Sequence, residues 1–136
     1  MAILQLQTGT ANPILRTKSV PVKIIDNRIK KLIKNMEVVL RRENGVGLAA
    51  PQVGENIRLI LVRLNIKSKT ENLAVMVNPE IVHRSKEEVM TEEGCLSLPG
   101  ICVKVFRAKE IIVSFETMKR EKMSLKLSGL NARIIQ

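Results

Sequence analysis

Two short stretches of the sequence contain residue types that could do chemistry. The first is EEGCLSLPG at residues 92–100, where Cys95 stands after two acidic residues and a glycine. An accessible thiolate at such a bend could act as a nucleophile or as a metal ligand. The alternative is a small buried hydrophobic residue, which is the common state of an unpaired cysteine. The residues around Cys95 leave these alternatives open.

The second stretch is GVGLAAPQ at residues 45–52, in which small residues lead to Gln52. A phosphate-binding loop needs a glycine-rich turn that runs from a strand into the start of a helix. Here the glycines follow a predicted helix and the Pro-Gln pair precedes a predicted strand, so the stretch does not fit a phosphate site. Small residues do allow a ligand backbone to lie close, and Gln52 could then donate an amide N–H to a developing oxyanion.

Two further residues, whose side chains are of types that can bind metals, are not expected to be ligands. Cys102 lies seven positions after Cys95 in an apolar strand-like segment, and we expect it to be an inert packing residue. This spacing is too long for a zinc knuckle, in which about two to four residues separate the ligands. The only histidine, His83, follows Pro79 in a polar stretch and is predicted to be an ordinary surface residue.

The element that would carry the second stretch is a helix predicted at about residues 26–44. Asp26 is a favourable N-cap, and the apolar residues after it recur with helical spacing on one face. These apolar residues are Ile29, Leu32, Ile33, Met36, Val39 and Leu40. Asn44 and Gly45 end the helix, and we expect Gly45 to take the left-handed conformation there.

Short segments of continuous or alternating apolar residues predict several strands. Two are expected at residues 58–64 and 72–78, with Pro79 interrupting the chain after the second. Three more are expected in ICVKVFR, EIIVSFE and KMSLKLS, with a hairpin turn at about residues 117–122. The proline-bounded ANPILRTKSVPV is expected to be extended. The final SGLNARIIQ predicts the start of a helix with Ser128 as its N-cap.

Composition bounds the class of protein. The 136 residues suit one α+β domain, residues 1–136, and a hydrophobic content of 45% is enough for a core. No apolar run approaches the roughly 20 residues that span a bilayer, and the N-terminus lacks the pattern of a signal peptide, so we expect reduced cysteines in a cytosol-like compartment.

The net charge of +10 favours anionic surroundings such as a ribosome surface. We interpret it mainly as a solvated basic surface, because the absence of Trp and Tyr argues against a base-stacking protein.

Together, GVGLAAPQ and EEGCLS resemble the first two signature motifs of the peptide deformylases. These metal hydrolases remove the formyl group from the N-terminal formyl-methionine of nascent proteins. The resemblance extends through NPILRTKSVPV near the N-terminus and LNARIIQ at the end of the sequence. It implies a deformylase-like α+β fold, with small antiparallel sheets around a C-terminal motif helix that is incomplete here. It also implies a role in N-terminal processing during translation, in a bacterial-type cytoplasm or an organelle.

The resemblance also assigns roles at the reaction centre. Cys95 matches the family's cysteine metal ligand. Gln52 matches the glutamine whose amide binds the formyl oxygen, and the backbone N–H of Leu96 matches its partner donor. Val46 and Gly47 match the segment that pairs with the substrate peptide like an added strand.

Further positions concern the substrate and its surroundings. Val46, Leu130 and Ile134 match the pocket for the methionine side chain. Where several relatives carry an arginine that contacts the peptide backbone, this sequence has Cys102, so that contact is not expected here. The partners implied are nascent formyl-methionyl peptides, with ribosome association through the basic surface, but neither a membrane nor a sequence-specific nucleic acid.

One family motif is missing from the 136 residues. The third motif, H-E-x-x-H, places two histidine ligands one helical turn apart with a glutamate between them as general acid and base. It should begin directly after Gln136. The resemblance implies one divalent metal ion, Fe²⁺ or alternatively Zn²⁺ or Ni²⁺, only where this motif is present, so residues 1–136 alone are predicted to be inactive.

Two explanations of the missing motif stay open. One is a longer functional chain, and the other is an inactive deformylase-like remnant that binds N-terminal peptides or the ribosome. The last seven residues would make about two helical turns, well below the roughly 12–15 residues needed for marginal independent helicity. This favours the longer chain.

Overall fold

The structure is a computed structural model that describes residues 4–136. Residues 1–3, part of the N-terminal stretch considered above for a signal peptide, lie outside the described residues. The described chain forms the helices α1 (Pro13–Arg16), α2 (Asn27–Arg42) and α3 (Gly129–Ile135) and a 3₁₀ turn (Ala50–Val53). Its strands are β1 (Gly47–Ala49), β2 (Leu59–Leu64), β3 (Asn72–Arg84), β4 (Glu88–Cys95), β5 (Leu98–Ala108), β6 (Glu110–Glu116) and β7 (Lys122–Ser128).

The strands form two separate sheets. Strands β1, β2, β3, β6 and β7 make a five-stranded antiparallel sheet in that order, and β4 and β5 make a two-stranded hairpin. Because successive side chains of a strand point to opposite faces, Leu59 and Leu61 pack with α2 on one face. Ile60 packs on the other face, in the cluster that contains Ala132 of α3. The predicted α+β architecture with small antiparallel sheets is confirmed.

The predicted first helix is confirmed as α2. The Asp26 carboxylate accepts a hydrogen bond from the Ile29 N–H at 3.0 Å and caps the helix. All the apolar residues of the predicted face are buried. The prediction for Gly45 is wrong, because Asn44 takes the left-handed conformation instead, with φ 50°. Asparagine tolerates this conformation better than most residues, whereas Gly45 is buried against leucine side chains.

The prediction that Pro79 ends the second strand is wrong, because β3 continues past it. The register with β6 shifts between Val77 and Glu80. Such a bulge leaves Pro79 outside the regular ladder, where its missing N–H breaks no strand pairing. Asn78 has φ 51° in this bulge, and its side chain bonds the backbone of Val22 through Oδ1, an acceptor at 2.7 Å, and Nδ2, a donor at 3.0 Å.

Other local predictions also need correction. The segment 11–22 is not wholly extended, because Asn12 Oδ1 accepts a hydrogen bond from the Ile14 N–H at 2.9 Å and starts α1. Ser128 occupies the N-cap position of α3 but makes no side-chain capping hydrogen bond. Strand β4 was missed because it is exposed over most of its length and lacks an apolar alternation. Within residues 4–136, no helix has both the length and the apolar character needed to cross a membrane.

Candidate active site

Gln52 lies in the 3₁₀ turn after β1, and its carboxamide is held at both ends. Its Oε1 accepts a hydrogen bond from the Ala49 N–H at 2.9 Å. Its Nε2 donates to the Ser97 hydroxyl at 3.1 Å and to Cys95 Sγ at 3.5 Å. The Ala49 contact fixes which end of the amide is the donor, because a backbone N–H must meet the oxygen. The structure therefore brings the two chemistry-bearing stretches together. GVGLAAPQ is not an open loop, since it contains β1 and most of the 3₁₀ turn.

Cys95 is the last residue of β4 and reaches the site from the hairpin. Its thiol is free and exposed, so the alternative of a buried packing residue does not hold. Cys95 pairs with Leu98, and Leu96 and Ser97 form the loop between the two strands. An exposed thiol beside an amide donor suits a metal ligand, and that role stays a prediction.

Cys102 differs from the expectation of an inert packing residue, because its thiol is also free and exposed. It pairs with Gly94 across the hairpin. The hairpin is separate from the five-stranded sheet, so apolar side chains of β5 remain exposed, among them Val103 at 52% and Phe106 at 63%. His83 is exposed on β3, as predicted.

Gly45 and Leu96 connect the two stretches by packing. A Cβ on the buried Gly45 would lie 2.8 Å from Leu96 Cδ1 and 3.0 Å from Leu40 Cδ1. Both distances are shorter than a normal contact between carbon atoms, about 3.5–4.0 Å. Only glycine therefore lets the Leu96 side chain lie where it does. This contact supports the loop whose Leu96 N–H is the predicted second donor to the formyl oxygen.

The N-terminal segment contacts both of these loops through its main chain. The Gln7 N–H donates to the Gln52 carbonyl oxygen at 2.7 Å, and the Gly9 N–H donates to the Ser97 carbonyl oxygen at 3.1 Å. Asn12 Nδ2 donates to Gln7 Oε1 at 3.1 Å. The segment thus holds the 3₁₀ turn and the hairpin loop in a fixed relation. Sequence reasoning missed this role, because main-chain hydrogen bonds place few demands on residue type.

The four residues predicted to bind the substrate lie in or beside β1 and α3. Gly47 approaches α3 so closely that a Cβ on it would be 2.9 Å from Ile134 Cγ2. Val46, just before β1, and Leu130, in the first turn of α3, are 40% and 54% exposed. The structure brings Gly47 and Ile134 together and leaves two apolar side chains at the surface. Their roles in substrate binding stay predictions.

A charged cluster joins the hairpin to α3. Glu93 accepts hydrogen bonds from Arg107 Nη2 at 2.9 Å and from Arg133 Nη2 at 2.7 Å. The hydrogen bond from Arg107, with the charges of both arginines, holds the pKa of the Glu93 carboxyl below its usual range despite partial burial. In the sequence, the feature that points to Glu93 is its position two residues before Cys95, which places it next to the candidate site. Its two partners are distant in sequence, so the cluster was not predicted.

Gln136 fastens the end of α3 to the same hairpin. Its Oε1 accepts a hydrogen bond from the Ala108 N–H at 2.9 Å, and its Nε2 donates to the Ala108 carbonyl oxygen at 2.8 Å. Arg107 Nη1 also donates to the Gln136 carbonyl oxygen at 3.4 Å. The end of α3 is therefore held against the hairpin that carries Cys95.

The donor set for a metal ion is incomplete in the part of the chain that the structure describes. Within residues 4–136, no three His, Cys, Asp or Glu side chains come together in a group that could hold an ion. A hydrolytic metal centre uses about three protein ligands and keeps one position open. Cys95 supplies one suitable donor, so the described residues do not by themselves fit such a centre.

Comparison with known proteins identifies the family. The family model described as "Polypeptide deformylase" matches residues 4–136. The chain belongs to the polypeptide deformylase family. It is 42% identical over 125 residues to the peptide deformylase of Dictyoglomus thermophilum, a match that covers 92% of this chain and 78% of that deformylase.

Solved deformylase structures have the same fold. The crystal structure of the peptide deformylase from Thermotoga maritima matches with a TM-score of 0.92 and 33% identity, over 100% of this chain and 88% of that one. A class I type b peptide deformylase from Acinetobacter baumannii, solved bound to Met-Ala-Ser, matches with a TM-score of 0.89 and 35% identity, over 99% of this chain and 89% of that one. The deformylase-like fold that the two motifs predicted is therefore confirmed.

Proposed function

We propose that this chain acts in removing the N-formyl group from the formyl-methionine of nascent polypeptides. The observation that carries the proposal is the contact between Gln52 Nε2 and Cys95 Sγ at 3.5 Å, which joins an amide donor and an exposed thiol in one site. Membership of the deformylase family over residues 4–136 supports it. The reaction would take place in a bacterial-type cytoplasm or in an organelle.

Gln52 would stabilise the oxyanion that develops on the formyl group. Its contact with Cys95 Sγ is the longer of the two that Nε2 makes, so this N–H can bond a substrate oxygen instead of the sulfur with little loss. The backbone N–H of Leu96 would be the second donor. Removing one donor of this kind typically costs about 2.7–4 kcal/mol of transition-state stabilisation.

The substrate peptide would lie along the segment before β1. Val46 and Gly47 would pair with its backbone as an added strand, and Val46, Leu130 and Ile134 would contact the methionine side chain. Exposed apolar side chains at Val46 and Leu130 support this proposal. The Acinetobacter relative was solved bound to Met-Ala-Ser, which supports a peptide that begins with methionine.

Cys95 would provide one ligand of a divalent metal ion, Fe²⁺ by resemblance to the family, or Zn²⁺ or Ni²⁺. Such an ion supplies Lewis-acid chemistry when it is bound. Residues 4–136 hold no group of three ligands. We therefore propose that activity requires the two histidines of the family's third motif, and that residues 1–136 alone do not hydrolyse formyl peptides.

The proposal is tested by assaying the full-length product of the gene on formyl-Met-Ala-Ser with added Fe²⁺ or Ni²⁺. We expect turnover, and a fall of about 100- to 1000-fold in kcat for Gln52→Ala, because an oxyanion donor is lost. Full-length protein with an intact third motif and no turnover would refute the enzyme proposal.

The role of Cys95 has its own test, in which the metal content is measured by mass spectrometry. In the full-length protein, Cys95→Ser should lower the metal content sharply, because a neutral hydroxyl is a much poorer ligand than a thiolate. Cys102→Ser is the matched control and should leave the metal content unchanged. Residues 1–136 alone should bind little metal with or without the substitution. Tight stoichiometric binding by that form through Cys95 would overturn this account.

The second candidate is a catalytically inactive deformylase-like remnant that binds N-terminal peptides or the ribosome. It is favoured by the net charge of +10, which suits binding to an anionic surface such as a ribosome. The coding DNA after the Gln136 codon separates the candidates, because a stop codon supports the remnant and codons for His-Glu-x-x-His restore the enzyme. Ribosome association predicts co-sedimentation with ribosomes that weakens as salt is raised.

A further inference from the structure

Ser97 is a buried polar residue whose role the proposed reaction leaves unassigned. It is only 3% exposed, and its hydroxyl oxygen lies 3.1 Å from Gln52 Nε2. Burying a hydroxyl costs free energy unless it makes a hydrogen bond. The Gln52 amide provides that hydrogen bond, so the two side chains depend on each other.

The Gln52 carboxamide has one acceptor oxygen and two N–H donors, and each has a partner. The oxygen accepts from the Ala49 N–H at 2.9 Å, and one N–H donates to the Ser97 hydroxyl at 3.1 Å. The other N–H faces Cys95 Sγ at 3.5 Å, and sulfur is a weak acceptor. Two good hydrogen bonds therefore fix the plane of the amide, and the third position can be given to a ligand.

The main chain is held on both sides of this contact. The Gln7 N–H bonds the Gln52 carbonyl oxygen at 2.7 Å, and the Gly9 N–H bonds the Ser97 carbonyl oxygen at 3.1 Å. One short segment thus anchors the backbones of both residues. The separation between the Ser97 hydroxyl and the Gln52 amide is therefore set by the scaffold as well as by the two side chains.

We propose that Ser97 is a positioning residue that holds the Gln52 amide with one N–H directed at the formyl oxygen. The inference rests on the proposed deformylation, in which Gln52 stabilises the oxyanion. Ser97 acts only through Gln52. Without the hydroxyl, the amide tilts about the Ala49 contact and meets the developing oxyanion with poorer geometry.

Three substitutions in the full-length protein measure this role. Ser97→Ala should lower kcat by about 3- to 10-fold, as expected for the net effect of one hydrogen bond. KM should hardly change, because the oxyanion forms only after the substrate is bound. Ser97→Thr keeps the hydroxyl and should recover most of kcat. Ser124→Ala, which removes an exposed hydroxyl on β7, is the control and should leave kcat unchanged.

A double-mutant cycle separates positioning from a general structural role. If Ser97 acts through Gln52, adding Ser97→Ala to Gln52→Ala should change kcat by less than about 2-fold, because the group it positions is gone. An equal loss in both backgrounds would overturn the proposal. Ser97→Cys keeps the shape with a weaker acceptor, and it replaces Ser97→Ala in the cycle if the alanine variant does not fold.

Hydrogen exchange of the Gln52 side-chain amide reports on its hydrogen bond to the Ser97 hydroxyl, and this measurement does not require catalytic activity. Its NMR signals are assigned by their loss in Gln52→Ala. Their exchange should be faster in Ser97→Ala than in the wild-type protein or in Ser124→Ala. A full-length protein without deformylation would refute the proposed function, while this exchange would still report the Ser97 contact. Unchanged exchange in Ser97→Ala would overturn the positioning role itself.

Discussion

Replacing Gly45 with alanine tests the packing that connects the two motif stretches. The new Cβ would lie 2.8 Å from Leu96 Cδ1 and 3.0 Å from Leu40 Cδ1. To restore a normal contact, the half-buried Leu96 must move by about 0.7 Å and the completely buried Leu40 by about 0.5 Å, and Leu40 has little room to do so. The φ of Gly45 is not in the left-handed region, so the cost is one of packing and not of backbone strain.

The expected cost follows from two opposing effects. Overpacking of this kind costs about 1–3 kcal/mol. Alanine also reduces the conformational entropy of the unfolded chain, which returns about 0.4–1 kcal/mol. Overpacking dominates, and Gly45→Ala should lower the free energy of unfolding by about 1–2 kcal/mol. For a domain of this size the unfolding midpoint should fall by roughly 4–8 °C.

Circular dichroism during heating measures this change, and NMR shifts of the Leu96 methyl groups report whether that side chain has moved. Gly94→Ala is the matched control, because a Cβ there meets only Ile101 O at 3.5 Å and Cys102 Sγ at 3.8 Å. It should leave the midpoint unchanged or raise it slightly. A Gly45→Ala variant as stable as the wild-type protein, with unchanged Leu96 signals, would refute the reasoning.

Three other predictions address the scaffold. Asp26→Ala should lower the free energy of unfolding by about 1 kcal/mol in urea, because α2 loses its N-terminal cap, and Asp26→Asn should not; equal stability of all three proteins would contradict this. The hydrogen bond from Arg107 lowers the pKa of the Glu93 carboxyl in the folded protein. The ion pair should therefore stabilise the fold fully above about pH 4.3, which is the pKa of glutamate in an unfolded chain. This stabilisation should be lost as the pH falls through the lower pKa that Glu93 has in the folded protein. Glu93→Gln should therefore destabilise the protein at about pH 7 by about 1 kcal/mol and much less at about pH 2, and a loss independent of pH would be inconsistent with this account. Asn78→Ala should cost about 2 kcal/mol in thermal unfolding, since both hydrogen bonds to the Val22 backbone are lost. Asn78→Gly loses the same hydrogen bonds but tolerates φ 51°, so the difference in stability between the two variants measures the cost of that φ for alanine.

The sequence by itself determined the elements whose signals are local. Apolar spacing after Asp26 was enough for α2, because a helix needs only one apolar face and a cap. Apolar residues rich in isoleucine and valine were enough for β2 and β6, since each buries at least one of its faces along the whole strand. Strand β7 is only partly buried, and its signal was the alternation of Met123, Leu125 and Leu127 with polar residues. The two motifs likewise singled out Gln52 and Cys95, but only through their resemblance to the family, because the residue types around Cys95 left a packing role open.

Only the tertiary structure decided how these parts meet. Gln52 and Cys95 are 43 positions apart, and their contact depends on the turn after β1, the hairpin and the N-terminal segment together. The buried hydroxyl of Ser97 acquires its role only through that contact. Strand β3 passes Pro79 because β6 supplies the partner for a bulge. In each case the deciding free energy comes from hydrogen bonds and close packing between segments distant in sequence, and the local pattern of residue types carries no record of those distances.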